Sequence, residues 1–117
     1  MVPTGVTPCT KLERNRALWD GRRVYDVIVA HIDPEPCAFR PYCRWLIDRL
    51  THLGPTRLLT WPPEVEHEDF VEVELDVLQT RVVIHLDRWI CVACASVPAT
   101  PTGARILGII EQAHRAC

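Results

Sequence analysis

Phe70-Val71-Glu72-Val73-Glu74-Leu75-Asp76-Val77 alternates without a break. Successive strand side chains project to opposite faces, so Val71, Val73, Leu75 and Val77 share one face and Glu72, Glu74 and Asp76 the other. The pattern predicts a strand with one dry and one wet face. Arg81 to Asp87 repeats it, with Val82, Ile84 and Leu86 inward. The two segments read as a hairpin, although Leu78-Gln79-Thr80 lacks the glycine or asparagine that tight hairpin turns favour. Trp89 to Ala95 reads as a further strand or a continuation. Val97-Pro98-Ala99-Thr100-Pro101 then breaks the chain. Thr100 is placed to cap a final helix with Pro101 in its first position. Ile106, Leu107, Ile109, Ile110 and Ala113 give that helix a packing face.

Working upstream, Arg57 to Trp61 is a short apolar strand halted by Pro62-Pro63. Phe39, Tyr42, Leu46, Leu50 and Leu53 recur at three- and four-residue spacing, the stripe of an amphipathic helix from about Pro41 to Leu53. Arg23 to His31, with Val24, Tyr25, Val27, Ile28 and Val29, has the β-branched density of a central strand. Thr10-Lys11-Leu12-Glu13 fits a capping box and predicts a short helix from Lys11 to about Asp20, stopped by Gly21. Residues 1–9, with Pro3, Gly5 and Pro8, read as a flexible N-terminal arm, and residues 10–117 as a single domain. Strand, helix and strand over residues 23–61 predict a parallel β-α-β unit. The fold class expected is therefore α+β (α/β), a single mixed sheet of four to five strands with two to three helices packed on it.

A chain of 117 residues with 48 % hydrophobic and 24 % charged residues is an ordinary globular domain. Its apolar runs are too short for a membrane span, and its N-terminus lacks the basic start and apolar centre of a signal peptide. A cytoplasmic or otherwise intracellular protein is expected. The net charge of −2 argues against wholesale coating of nucleic acid. The charge is uneven: residues 1–58 carry nine basic and six acidic side chains, residues 59–117 four and nine. This permits a basic partner on one face, or self-association.

Six cysteines in a chain read as intracellular point to free thiols, metal or redox chemistry before a disulfide framework. Cys91-Val92-Ala93-Cys94 is the sharpest local pattern, but its surroundings are strand-like, and residues three apart on a strand face opposite ways. Cys37, Cys43, Cys91 and Cys94 together could supply the four ligands of a structural zinc site, with His31, His52 or His85 as replacements. A thiolate at the start of a helix is stabilised by the free amides there, which favours Cys37 as a reactive thiol. The position of Cys37 after the first strand, and the strand–helix–strand then strand–strand–helix order, resembles thioredoxin-like proteins and implies thiol–disulfide exchange. The chain departs from that family in carrying five residues between Cys37 and Cys43 instead of C-x-x-C. His85 shares a strand face with Arg81, Val83 and Asp87, where a nearby carboxylate could make it a general base. The one serine, Ser96, sits in no nucleophile elbow, and no phosphate-cradling glycine loop occurs.

The sequence reading favours a small non-enzymatic protein-binding or regulatory module that acts through an exposed aromatic and charged surface. Its alternatives are a cysteine-ligated zinc module and a thioredoxin-like redox protein. Tryptophan combines a large apolar body with a polar handle and is enriched at interfaces. Trp61, beside the acidic run Glu64, Glu66, Glu68 and Asp69, is the expected anchor, with Arg22 and Arg23 as further partner-binding residues. The expected partner is another protein or a second copy of the chain. No cofactor is required by this reading, zinc belonging only to the alternative.

Overall fold

The computed structural model describes residues 11–19, 23–31, 36–63, 69–87, 89–90 and 92–115. Their order is β1 (Lys11–Trp19), β2 (Arg23–His31), α1 (Pro36–Thr51), β3 (Thr56–Thr60), β4 (Phe70–Val77), β5 (Thr80–Asp87), β6 (Val92–Pro98) and α2 (Pro101–Arg115). The six strands form one sheet in the order β1-β2-β6-β5-β4-β3, and every neighbouring pair is antiparallel.

The β4–β5 hairpin forms as its alternation dictates. Val73 lies opposite Ile84 and Leu75 opposite Val82, and the inward residues of both strands are buried. The turn is made by Leu78 and Gln79, both in the left-handed region with φ of 52° and 62°. Two such residues are what a tight antiparallel hairpin demands. Leu78 holds the position because its side chain packs on the core and lies against Gly54, where an added Cβ would come within 2.4 Å of Leu78 Cδ2.

On β6 the inward residues Ala93, Ala95 and Val97 are small and buried, which lets helices approach closely. Thr100 caps α2 as its sequence signature predicts: the Gly103 amide donates to Thr100 Oγ1 at 3.0 Å, with Pro101 in the first helical position. Both helices lie on one face of the sheet. Tyr42, Leu46 and Leu50 of α1 and Ile106, Leu107 and Ile110 of α2 join the inward strand residues in a single core. Polar or half-buried residues occupy the other face, among them Glu72, Glu74, Arg81, His85, Cys94 and Ser96.

The expected mixed sheet of four to five strands with two to three helices is overturned in two places. Residues 11–19 are a strand, not a helix: β1 pairs with β2 over its whole length, from Lys11 opposite His31 to Trp19 opposite Arg23. The capping signal at Thr10–Glu13 is local, and helix propensities differ by only tenths of a kcal/mol per residue. A half-buried β2 needs a ladder on each side, and β1 supplies one while β6 supplies the other. The second correction concerns handed parallel pairing. Helix α1 does connect two strands that run in the same direction, but β6, β5 and β4 lie between β2 and β3. The helix carries the chain over to the far edge, packing on β3 and β4 beside α2 on β2 and β6, and the chain returns as a β3–β4–β5–β6 meander. Smaller differences follow. α1 begins at Pro36, leaving Pro41 inside the helix. Trp89 falls in the β5–β6 connection, and the last strand runs on to Pro98.

Candidate binding surface

One end of the sheet collects three large exposed apolar side chains. β2 and β5 run towards this end and β4 and β6 away from it, so His31, Asp87, Phe70 and Val92 all lie there. Phe70 sits opposite Asp87, and its ring stacks on His85 with centroids 5.6 Å apart. Asp87 Oδ1 accepts from the Trp89 amide at 2.8 Å and the Ile90 amide at 3.4 Å. That pair of bonds is a side-chain-closed turn, and it holds the two apolar residues at the tip of the connection. Trp89 is 80 % exposed, Ile90 65 % and Phe70 52 %. Scattered exposed hydrophobes are ordinary; three large ones grouped at one end of a sheet stand out from that background.

The second feature runs along the edge strand β3. A groove of about 480 Å³ lies between α1 and β3, lined by Arg44, Ile47, Asp48, Thr51, Leu58 and Trp61. Trp61 is half-buried and packs on the core, so it closes the groove instead of standing free. Arg40 and Arg44 sit over its ring, 5.6 Å and 5.0 Å from the ring centroids, a favourable arrangement for a cation on an aromatic face. Arg40 is buried. Its Nη1 donates to the Pro62 carbonyl at 2.8 Å and its Nη2 to the Pro63 carbonyl at 2.9 Å, which fixes the segment after β3 to α1.

Of the other residues expected at a partner surface, Asp69 is half-buried just before β4. Glu64, Glu66, Glu68 and Arg22 lie outside the described residues. Arg23 begins β2, opposite Trp19, at the other end of the sheet and with three strands between it and β3. The fold does not bring it to Trp61.

Of the four cysteines singled out in the sequence, the two whose side chains are described, Cys43 and Cys94, lie on opposite sides of the sheet. Cys43 is buried in the core on α1, on the helical side of the sheet. Cys94 lies between inward-facing Ala93 and Ala95 and faces the opposite side, level with His85 and Val29. Cys37 falls in the first turn of α1, and Cys91 lies outside the described residues. Burial pushes the Cys43 thiol up to about 12, against the opposing pull of Arg44 and Arg40. Burial, with Asp87 adding to it, also raises Cys94. Both thiols are therefore held in the protonated form, the less nucleophilic one. Among the described residues no three His, Cys, Asp or Glu side chains cluster as a metal site would require.

A buried polar pair that sequence reasoning missed joins the two helices. The Tyr42 hydroxyl donates to His114 Nε2, and His114 Nδ1 donates to the Ile110 carbonyl at 2.8 Å. The carbonyl can only accept, so Nδ1 carries the proton, and with burial keeping the imidazole neutral Nε2 is the acceptor. The Trp45 ring meets it edge-on, with centroids 5.3 Å apart. Burial holds the His114 pKa below its ordinary value, the hydrogen bond to Ile110 opposing that in part. The pair is enclosed by the core and fastens α1 to α2. The spacing of Tyr42 and Ile110 marked both helix faces, but nothing in the sequence pairs positions 42 and 114.

Arg40, Arg44, Phe70 and Ile90 were likewise not singled out as partner residues. Exposed isoleucine beside tryptophan at 89–90 could have flagged the tip, but a β-branched run reads first as strand. No protein-family model matches the chain, and neither the curated proteins nor the solved structures searched give a significant match. No described helix is long and apolar enough to cross a membrane.

Proposed function

We propose that this domain is a non-enzymatic protein-binding module that docks on a partner protein through the Phe70, Trp89 and Ile90 end of its sheet. The observation that carries the reading is the exposure of three large apolar side chains on a tip whose backbone is held by Asp87. Fully burying one such side chain contributes about 1.5–3 kcal/mol. Preorganising the tip lowers the ordering cost of using it, and tryptophan is the residue most enriched among binding hot spots. The open face beside it, polar with half-buried valines, supplies a rim.

The test is a paired variant, Trp89→Ser with Ile90→Ser, compared with the wild type in quantitative affinity purification from cells of the native host. Both side chains are outside the core, so the melting temperature should stay within a few degrees. A defined set of proteins should be retained by the wild type and lost by the variant. Retention of the same set by both would refute the assignment. So would a melting temperature depressed by ten degrees or more, because the tip would then belong to the core.

A further inference from the structure

A second surface, separate from the tip, has its own chemistry. β3 is the last strand of the sheet, and among the described residues nothing pairs with its outer edge. An unpaired edge presents a row of amides and carbonyls that can template another strand. Natural edges are commonly guarded by charge. β1, at the opposite edge, carries Glu13, Arg14 and Arg16, all in ion pairs. β3 is guarded less: Leu58 is 47 % exposed and faces the groove whose far wall is Ile47 of α1. An edge strand beside a helix-lined groove is the arrangement in which extended peptides add to a sheet, with main-chain bonds giving affinity and the groove reading alternate side chains.

Charge decides what would fit. Arg44 lies at the Trp61 end of the groove, and Arg57 is exposed on the other side of β3. Neither is in an ion pair with a described residue; Asp48 lines the groove beside Arg44, and Asp76 stands across the β3–β4 ladder from Arg57. Two copies joined through β3 would bring like charge together. An acidic strand would neutralise it.

We propose that the β3 edge takes an extended acidic segment of a protein as a seventh strand. The sheet is antiparallel throughout, and antiparallel pairing is slightly the more stable per residue. An added strand that continues the pattern starts at the Trp61 end. It then places a carboxylate on Arg44 and, two residues later on the same face, an apolar side chain between Ile47 and Leu58. The recognised pattern is an acidic residue, any residue, then an aliphatic one, with a further acidic residue on the outer face for Arg57.

The test starts from a random peptide library displayed on phage and selected on the full chain. Selected peptides should carry the acidic–x–aliphatic order, and a synthetic copy should shift the backbone amide resonances of residues 56–60. Arg44→Glu and, separately, Arg57→Glu should each weaken that peptide about tenfold. Arg57 is exposed on the face of β3 away from the groove, opposite Asp76, so its variant remains informative even if Arg44→Glu disturbs Trp61. The peptide should bind the Trp89→Ser/Ile90→Ser variant unchanged, which keeps this surface distinct from the tip. Four results would each overturn the proposal: no peptide is selected, the selected peptides bind both arginine variants equally, the sequence-reversed peptide binds as well, or the chain sediments as a dimer that Leu58→Lys dissociates.

Discussion

Tyr42→Phe removes one oxygen from the joint between the two helices and leaves the ring in place. Packing is preserved, so the loss reports on the hydroxyl's hydrogen bonding, that to His114 included. In the tautomer that donates from Nδ1 to Ile110, His114 Nε2 is an acceptor, and without the hydroxyl it is left unsatisfied in a buried site. Such an orphan costs about 1–3 kcal/mol, which for a domain of this size lowers Tm by roughly 4–12 °C. The assay is a thermal melt followed by circular dichroism at pH 8, where His114 is neutral folded and unfolded. A pH series then adds a signed expectation. The folded-state pKa of His114 lies below the ordinary 6.5, so below pH 6.5 the unfolded chain takes up a proton that the folded chain does not. The stability contributed by neutral, buried His114 is complete above pH 6.5. It falls as pH drops from there towards the folded-state pKa, at up to about 1.4 kcal/mol per pH unit. Subtracting the profile of His114→Gln removes the contributions of the other histidines. The reasoning is refuted if Tyr42→Phe melts within a degree of the wild type at pH 8. It is equally refuted if wild type and His114→Gln lose stability in parallel between pH 6.5 and 5.

Other consequences of the packing are as specific. A Cβ on Gly103 would lie 2.1 Å from the Pro98 carbonyl oxygen, backbone that cannot swing aside, so Gly103→Ala should cost about 1–3 kcal/mol in urea unfolding. Gly108 has nothing within 4 Å of that position, and Gly108→Ala should instead stabilise α2 by up to about 1 kcal/mol; equal midpoints for the two variants would contradict this account. Gln79→Gly relieves a left-handed residue with φ of 62° and should raise stability by about 0.5–1 kcal/mol, read as a higher urea midpoint with an unchanged slope. Ile110 is 1 % exposed, so Ile110→Asp buries an unpaired charge and should abolish cooperative unfolding; a folded, cooperatively melting variant would remove Ile110 from the core.

The balance between local and tertiary information can be followed residue by residue. The β4–β5 hairpin and α2 with its Thr100 cap were legible because their signals are local: a period of two, a period near 3.6, and one side chain bonding an amide three residues on. The turn at Leu78–Gln79 was recognised as a connection but not as a left-handed one, since Leu78 is held there by its contact with Gly54 and the core. Residues 11–19 were misread because their strand state depends on a ladder with β2 that no window of sequence contains. For the binding surface, Trp61 was picked out by its residue type, but whether it is an exposed anchor or the wall of a groove depends on Arg40 and Arg44 reaching it from α1. Trp89 was equally visible as a residue and unreadable as a site, because its exposure follows from Asp87 closing the turn on the outer side of the sheet.

By itself the sequence determined a mixed helix-and-strand domain of ordinary size, the faces that its alternating and helical segments turn inward, and a stock of thiols, arginines and tryptophans with which chemistry could be done. Beyond the β4–β5 hairpin, the tertiary structure alone decided which strands are neighbours. It thereby made β1 and β3 the edges, put Cys43 and Cys94 on opposite sides of the sheet, and left Trp89 in solvent. The physical reason is range. Side-chain periodicity and capping act within a few residues along the chain, whereas strand pairing and burial join segments tens of residues apart and are settled only when the whole core closes.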